Sequence, residues 1–166
     1  MTHNNSSNKQ NWRTPKWLVK AVEKEAGFIF TLDAAADDDN YLFDEYHTSE
    51  NSFLDSNINL SAQVWCNPPF DMKDEFIDKF INDNLRGALL LPSDTGSKWF
   101  QKAYEACSFA ILLTGRISFL DEDNKAISGN PAPSVIFCFT GGTKHGYQKH
   151  LRFLNTQQLK KEHGDV

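Results

Sequence analysis

The sequence has no hydrophobic run long enough to cross a membrane and no cysteine pattern typical of a disulfide framework. Its apolar stretches are shorter than the about 18 residues that a spanning helix needs, and residues 1–11 are polar, without the apolar centre of a secretory signal. Cys66, Cys107 and Cys138 are widely spaced in apolar surroundings and include no CxxC pair, which indicates buried thiols. We therefore expect a soluble, cytoplasmic protein that binds no membrane.

The sequence also lacks the residue sets of hydrolases and metalloenzymes. Its five histidines lie mainly near the termini, so they support neither a Ser-His-Asp set nor a metal site, and we expect no bound metal. A chain of 166 residues is most simply one domain with a single core. We place this domain at residues 12–155, between a disordered leader at 1–11 and a polar tail at 156–166.

An excess of positive charge is missing as well. The net charge is −5, from 17 Lys and Arg against 22 Asp and Glu, which argues against nucleic-acid binding through overall charge but leaves room for a local patch. Residues 31–60 contain eight acidic residues and no Lys or Arg. The last quarter is basic, with Lys144, Lys149, Arg152, Lys160 and Lys161. Solvated surface explains both segments, and contact with nucleic acid explains the second equally well.

Apolar periodicity predicts alternating strands and helices along most of the chain. A helix over 15–26 would follow a Thr14 cap and end at Gly27. This alternation predicts an α/β fold with a mainly parallel sheet, finished by a C-terminal antiparallel hairpin. The other predicted helices are 75–84 and 98–106, and the predicted strands are 28–34, a weakly marked one within 41–53, 62–66, 87–91, 109–113, 116–120 and 135–140.

The tetrapeptide Asn67-Pro68-Pro69-Phe70 follows the apolar run 62–66 and ends its strand, because proline fixes φ and lacks an N–H. The Asn67 side-chain oxygen and the Pro68 carbonyl are then acceptors beside the aromatic face of Phe70. Such a group suits a planar ring whose NH₂ donates two hydrogen bonds and gains positive charge as it attacks an electrophilic methyl. The pattern predicts N-methylation of a nucleobase or an amide. A Pro-Pro turn with Asn67 as a helix cap is the structural alternative.

The tetrapeptide belongs to an ordered series of short motifs. The series comprises Trp12-Arg13-Thr14-Pro15, Thr31-Leu32-Asp33-Ala34-Ala35-Ala36, Asn67-Pro68-Pro69-Phe70, Leu89-Leu90-Leu91-Pro92-Ser93, Trp99-Phe100, Gly115-Arg116-Ile117-Ser118-Phe119 and Pro133-Ser134-Val135-Ile136-Phe137. In this order the chain resembles the phage-type DNA N6-adenine methyltransferases, relatives of the Dam enzymes, over about residues 12–140. The most specific element is the tetrapeptide with its spacing from the Leu-Asp-Ala-Ala run.

The resemblance implies a Rossmann-like methyltransferase fold, S-adenosylmethionine as cofactor and double-stranded DNA as partner, with the target adenine flipped out of the duplex. It assigns the catalytic role to the tetrapeptide Asn67, Pro68, Pro69 and Phe70. A phage-encoded enzyme of this kind would act in the host cytoplasm. The residues implied to bind the cofactor are Thr14 and Pro15 at its methionine end, Asp33, Ala34 and Ala35 beneath it, and Asp55 at its adenine.

The chain departs from the common methyltransferase pattern in one loop. Many methyltransferases have a glycine after the first strand, whereas residues 32–40 contain none. The carboxylate expected at the cofactor ribose also stays open among Asp44, Glu45 and Glu50. Towards the DNA, Arg116 and Lys98 are candidates for phosphate contacts, with ion pairing or a solvated surface as the alternative.

Two other functions stay open from the sequence. Cytosine N4, an RNA adenine or a protein glutamine amide would present an NH₂ to the same acceptors. A non-catalytic module could instead bind a basic partner through the acidic segment 33–55. Too few residues remain for a separate recognition domain, so sequence specificity would come from the loop 121–133, the basic C-terminal segment or the second subunit of a homodimer.

Overall fold

Seven strands form one sheet through the centre of the molecule, in the part of the chain that the computed structural model describes (residues 12–127, 132–142 and 150–164). Their order is β2-β1-β3-β4-β6-β5-β7, and β6 alone runs antiparallel to its two neighbours. The strands are β1 (Leu32–Asp33), β2 (Glu45–Tyr46), β3 (Gln63–Cys66), β4 (Arg86–Pro92), β5 (Phe109–Thr114), β6 (Ser134–Thr140) and β7 (His150–Asn155).

Helices cover both faces of the sheet. They are α1 (Lys16–Ala26), α2 (Lys73–Asn82), α3 (Lys98–Ala106) and α4 (Thr156–His163). Apolar residues of α2 and α3, such as Phe80 and Ala103, pack on one face, and those of α1 and α4, such as Leu18 and Leu159, pack on the other. Because both faces are covered, β4 is apolar along almost its whole length.

The mainly parallel α/β architecture and the three predicted helices are confirmed. The predicted start of α1 is off by one residue: the helix begins at Lys16, and Pro15 rather than Thr14 occupies its N-cap position, with no side-chain capping bond. Its predicted end is confirmed: Gly27 has φ 72° and its N–H donates to the Glu23 carbonyl, a conformation that suits glycine. All three cysteines are buried, as expected.

The predicted C-terminal hairpin is wrong in its first strand. Residues 116–120 form no strand, because Gly115 turns the chain with φ 91° and both sides of β5 are already hydrogen-bonded, to β6 and to β7. The alternating Ile117 and Phe119 instead bury their side chains against the α1 face of the core. The antiparallel strand is β6, which inserts between β4 and β5.

The ends of the chain add two further observations. Residues 156–163, placed in a polar tail by the sequence, form α4, and Leu159 is only 4% exposed. The predicted leader at 1–11 lies outside the described residues. Within the described ranges, every helix is too short or too polar to span a membrane.

The parallel strands β1, β3, β4 and β5 end at the same edge of the sheet, which we call the carboxyl edge. The segments that leave these strands begin at Ala34, Asn67, Ser93 and Gly115. Ligands of open α/β sheets bind beyond this edge.

Candidate active site

A cavity of about 440 Å³ opens at the carboxyl edge, beyond the ends of β1 and β3. Its volume lies in the range of about 300–1,000 Å³ typical of small-molecule sites. The small residues 34–36 let the backbone approach a ligand closely. The wall combines aromatic and apolar side chains (Trp12, Phe53, Pro69, Met72, Phe76) with polar ones (Asp37, Asn40, Thr48, Ser49, Ser52, Asn67).

Asp33 shapes the loop that forms one side of this cavity. Its carboxylate is 4% exposed and accepts hydrogen bonds from the backbone N–H of Ala35 (3.3 Å) and of Leu42 (3.2 Å). Burial raises the pKa of Asp33 to about 6, although the two hydrogen bonds oppose that shift. No residue of 34–42, all of which the structure describes, has a positive φ. The loop therefore needs no glycine, since a buried carboxylate holds it instead.

The tetrapeptide also borders this cavity, through Asn67 and Pro69. β3 ends at Cys66, and after the two prolines the chain makes a 3₁₀ turn over Phe70–Met72 and enters α2. The Nδ2 atom of Asn67 donates a hydrogen bond of 3.2 Å to the Trp12 carbonyl. Because that carbonyl only accepts, it determines which end of the Asn67 amide faces it. The Oδ1 atom thus keeps its acceptor capacity for another group.

Trp12, which lies before α1, is itself held in place by the segment that follows β5. The backbone of Arg13 exchanges two hydrogen bonds of 2.9 Å with Leu120. The Trp12 ring packs on Phe119, with 5.4 Å between ring centroids. The N-terminal motif therefore fixes a carbonyl against Asn67, which lies 55 residues later in the chain.

Phe70 forms an aromatic surface next to Asn67. Its ring is 47% exposed and meets Trp99 edge to face, with 6.1 Å between centroids and an interplanar angle of 86°. The Lys73 ammonium lies 4.6 Å from the centroid of Phe70 and 5.9 Å from that of Trp99. Trp99 stands at the start of α3, so the segments that follow β3 and β4 meet at this surface.

An acceptor amide thus borders a ligand-sized cavity at the carboxyl edge, and the exposed ring of Phe70, which is not part of the lining of that cavity, follows the amide three residues later in the chain. The chain was also compared with known proteins. A family model described as DNA N-6-adenine-methyltransferase (Dam) matches residues 1–164. The chain belongs to the Dam family.

Two phage proteins named DNA N-6-adenine-methyltransferase are similar to this Dam-family chain. The one from Escherichia phage T1 is 30% identical over 145 residues, which cover 76% of this chain and 60% of the relative. The one from Haemophilus phage HP1 (strain HP1c1) is 26% identical over 157 residues, 90% of each chain. This chain thus spans only 60% of the length of the T1 relative. No solved structure matches it.

The structure brings some of the expected site residues of this Dam-family protein together and leaves others apart. Ala34 and Ala35 line the cavity with Asn67 and Pro69, while Asp33 supports their loop from behind. Pro68 is buried next to Asn67.

Thr14 and Pro15 lie elsewhere. Both are buried, and both line a second cavity of about 820 Å³, which shares Asn40 with the first. Asp55 ends the 3₁₀ turn Phe53–Asp55 and is exposed, so that Phe53 of this turn, not Asp55, lines the first cavity.

Sequence reasoning missed several residues of the cavity wall. Asp37 is the carboxylate among its lining side chains, whereas Asp44, Glu45 and Glu50 are not part of that lining. Ser49 and Ser52 add hydroxyls from the segment after β2. The sequence predicts that the acidic run 37–39 is solvated surface. Only the tertiary structure shows that Asp37, in the segment after β1, lines the cavity.

Proposed function

We propose that this protein transfers a methyl group from S-adenosylmethionine to N6 of an adenine in double-stranded DNA. The observation that carries the proposal is Asn67: it borders the cavity, and the Trp12 carbonyl holds its Nδ2. Its Oδ1 is therefore oriented as an acceptor for an amine next to the cofactor site. Membership in the Dam family, together with the names of the two phage relatives, supports the choice of adenine N6.

The chemistry of the first cavity fits S-adenosylmethionine. The cofactor has a flat adenine, a hydroxylated ribose and a zwitterionic amino-acid end, and the wall combines the apolar side chains of Phe53 and Phe76 with hydroxyls and the Asp37 carboxylate. When bound, the cofactor supplies an electrophilic methyl on a sulfonium. We assign Ala34 and Ala35 to its floor, and we infer a Rossmann-like methyltransferase fold for the sheet.

The remaining predicted cofactor residues act through their neighbours in this proposal. Asp33 holds the loop that carries Ala34 and Ala35. Thr14 and Pro15 follow Trp12 and Arg13 in the chain and anchor the segment that bears the Trp12 carbonyl. Asp55 belongs to the 3₁₀ turn that supplies Phe53, and Asp37 takes over the role of a polar group at the cofactor.

The target base must leave the DNA stack to reach Asn67. Flipping costs a few kcal/mol, and stacking on the half-exposed Phe70 ring, worth about 1–3 kcal/mol per base, offsets much of that cost. The Asn67 Oδ1 and the Pro68 carbonyl accept the two N6 hydrogens. The N6 lone pair forms the new N–C bond as the sulfonium C–S bond to the same methyl breaks, which would leave the sulfur as a neutral thioether. The two acceptors stabilise the positive charge that grows on the nitrogen. The proton leaves to solvent afterwards, so the mechanism requires no general base.

Cations near this surface suit the DNA backbone. Lys98 follows β4 at the start of α3, and Arg116 follows β5; both side chains are exposed near the carboxyl edge. Phosphate contacts from such cations position the duplex without reading its sequence. They also explain how a chain of net charge −5 binds DNA, because counterion release depends on the charges at the contact.

The test is product analysis. The protein is incubated with labelled S-adenosylmethionine and mixed-sequence duplex DNA, and the DNA is digested to nucleosides and chromatographed. We expect the label in N6-methyldeoxyadenosine, and we expect its loss in Asn67→Ala. Label in N4-methyldeoxycytidine, in RNA or in protein would show that the methyl acceptor is not an adenine in DNA. No label in any acceptor, with no thermal shift on adding S-adenosylmethionine, would favour a non-catalytic module.

A further inference from the structure

Lys73, the first residue of α2, is unusually buried for a lysine. Its side chain is only 15% exposed, and its ammonium lies 3.2 Å from the Asp74 carboxylate. Lysine side chains mostly extend into solvent, as the exposed Lys98 does at the start of α3. The ammonium of this largely covered side chain lies over Phe70 and close to Trp99.

This position has a physical consequence for Phe70. A half-exposed phenylalanine exchanges readily between side-chain rotamers, whereas a cation over its ring favours one orientation by about twofold at an exposed site and by about thirtyfold where the pair is desolvated. The edge-to-face contact with Trp99 favours the same orientation. Phe70 therefore keeps a defined ring plane while much of its surface stays open to a ligand.

We propose that Lys73 is a positioning residue for the target base, which holds Phe70 against Trp99 so that the ring offers a fixed surface to a flipped adenine. The inference rests on the proposed function, since it assigns stacking of the base to Phe70. We assign Lys73 to the ring rather than to a phosphate, because its side chain is only 15% exposed and its ammonium lies 3.2 Å from the Asp74 carboxylate and 4.6 Å from the centroid of Phe70.

The test compares steady-state kinetics of four proteins on the duplex that the wild type methylates. Lys73→Met removes the charge and keeps a similar length, and Lys73→Arg keeps a cation over the ring. Lys102→Met is the matched control, because Lys102 also pairs with a carboxylate of α2, that of Asp78, at a place away from the ring. We expect Lys73→Met to lower kcat/KM for DNA about three- to tenfold, with Lys73→Arg and Lys102→Met close to the wild type.

Two readouts separate positioning of the ring from other roles of Lys73. If Lys73 acts through Phe70, Lys73→Met should cost nothing more in a Phe70→Leu background. The slope of log affinity against log salt should also stay unchanged, whereas a lost phosphate contact would lower it by about 0.9. Circular dichroism and thermal unfolding check that each variant is folded, and Lys73→Gln replaces Lys73→Met if the latter fails.

The outcomes are distinguishable. If the wild type methylates DNA and Lys73→Met has the same kinetics, the positioning role alone is overturned. The same holds if Lys73→Met reduces the salt slope, or if it lowers kcat/KM as much in the Phe70→Leu background as in the wild type. A wild-type protein that transfers no methyl to DNA overturns the proposed function and the positioning role with it.

Discussion

Replacing Asp33 with asparagine should remove a pH dependence of folding stability that a single buried carboxyl creates. The folded pKa of Asp33 is about 6, against an ordinary value of 3.8, and desolvation by burial is the main cause. A raised folded pKa means that the folded protein holds a proton which the unfolded chain has released. The stabilisation is therefore complete below about pH 3.8 and is lost as the pH rises to about 6.

The magnitude follows from the size of the shift. A difference of about 2 pKa units corresponds to about 3 kcal/mol between acidic and neutral pH. Asparagine stays neutral throughout, so this change is absent from Asp33→Asn. The variant is separately destabilised by about 1–3 kcal/mol. The carboxylate accepts one hydrogen bond from the N–H of Ala35 and one from that of Leu42, whereas the asparagine NH₂ cannot accept the bond that it faces.

Urea unfolding of both proteins at several values between pH 4 and pH 8 measures the effect. The free energy of unfolding of the wild type, relative to that of the variant, should fall by about 2.4 kcal/mol from pH 4 to pH 7 and stay level above, because part of the full effect is already lost at pH 4. The comparison cancels the titration of the other carboxyls. A relative stability that is independent of pH, or that rises with pH, would refute a buried carboxyl with a raised pKa.

The same residue links stability to the cavity to which we assign the cofactor. Asp33→Ala leaves the Ala35 and Leu42 N–H groups without their acceptor, so the loop 34–42 should lose its defined shape. We expect the Kd for S-adenosylmethionine to rise about tenfold, for a loss of about 1.4 kcal/mol in binding. Calorimetry that shows unchanged affinity would mean that the loop is held by other contacts.

Two further predictions concern the acceptor and the DNA. Asn67→Ala should lower kcat about 10²–10³-fold, as for the loss of one stabilising hydrogen-bonding group, and should leave the cofactor Kd from calorimetry nearly unchanged; an equal loss of cofactor binding would assign Asn67 to the cofactor instead. Lys98→Gln combined with Arg116→Gln should reduce the slope of log affinity against log salt by about 1.8, while the same charge change at Lys20 and Lys24 on α1 should not. An unchanged slope would direct the search to Lys160 and Lys161.

Local sequence determined the helices and the end of the central strand. Apolar spacing defines α1, α2 and α3 to within about two residues, and Gly27 ends α1 where the sequence predicts it. The prolines of the tetrapeptide end β3 whatever surrounds it, because they remove the backbone donors that a further ladder needs. These features depend on neighbouring residues only, so they can be read from the chain directly.

Tertiary structure decided the roles of the residues at the site. Asn67 is oriented by a carbonyl 55 residues earlier in the chain, Asp33 closes a loop onto Leu42, and Lys73 reaches the ring of Trp99 from another helix. The insertion of β6 between β4 and β5, which displaced the expected hairpin, is likewise a pairing between distant segments. Such contacts depend on strand order and register, which no local pattern of residue types specifies. The sequence therefore showed Asn67 and the run 33–35, whereas the bonds that orient them and the other residues of the cavity wall became visible only when the sheet brought its carboxyl edge together.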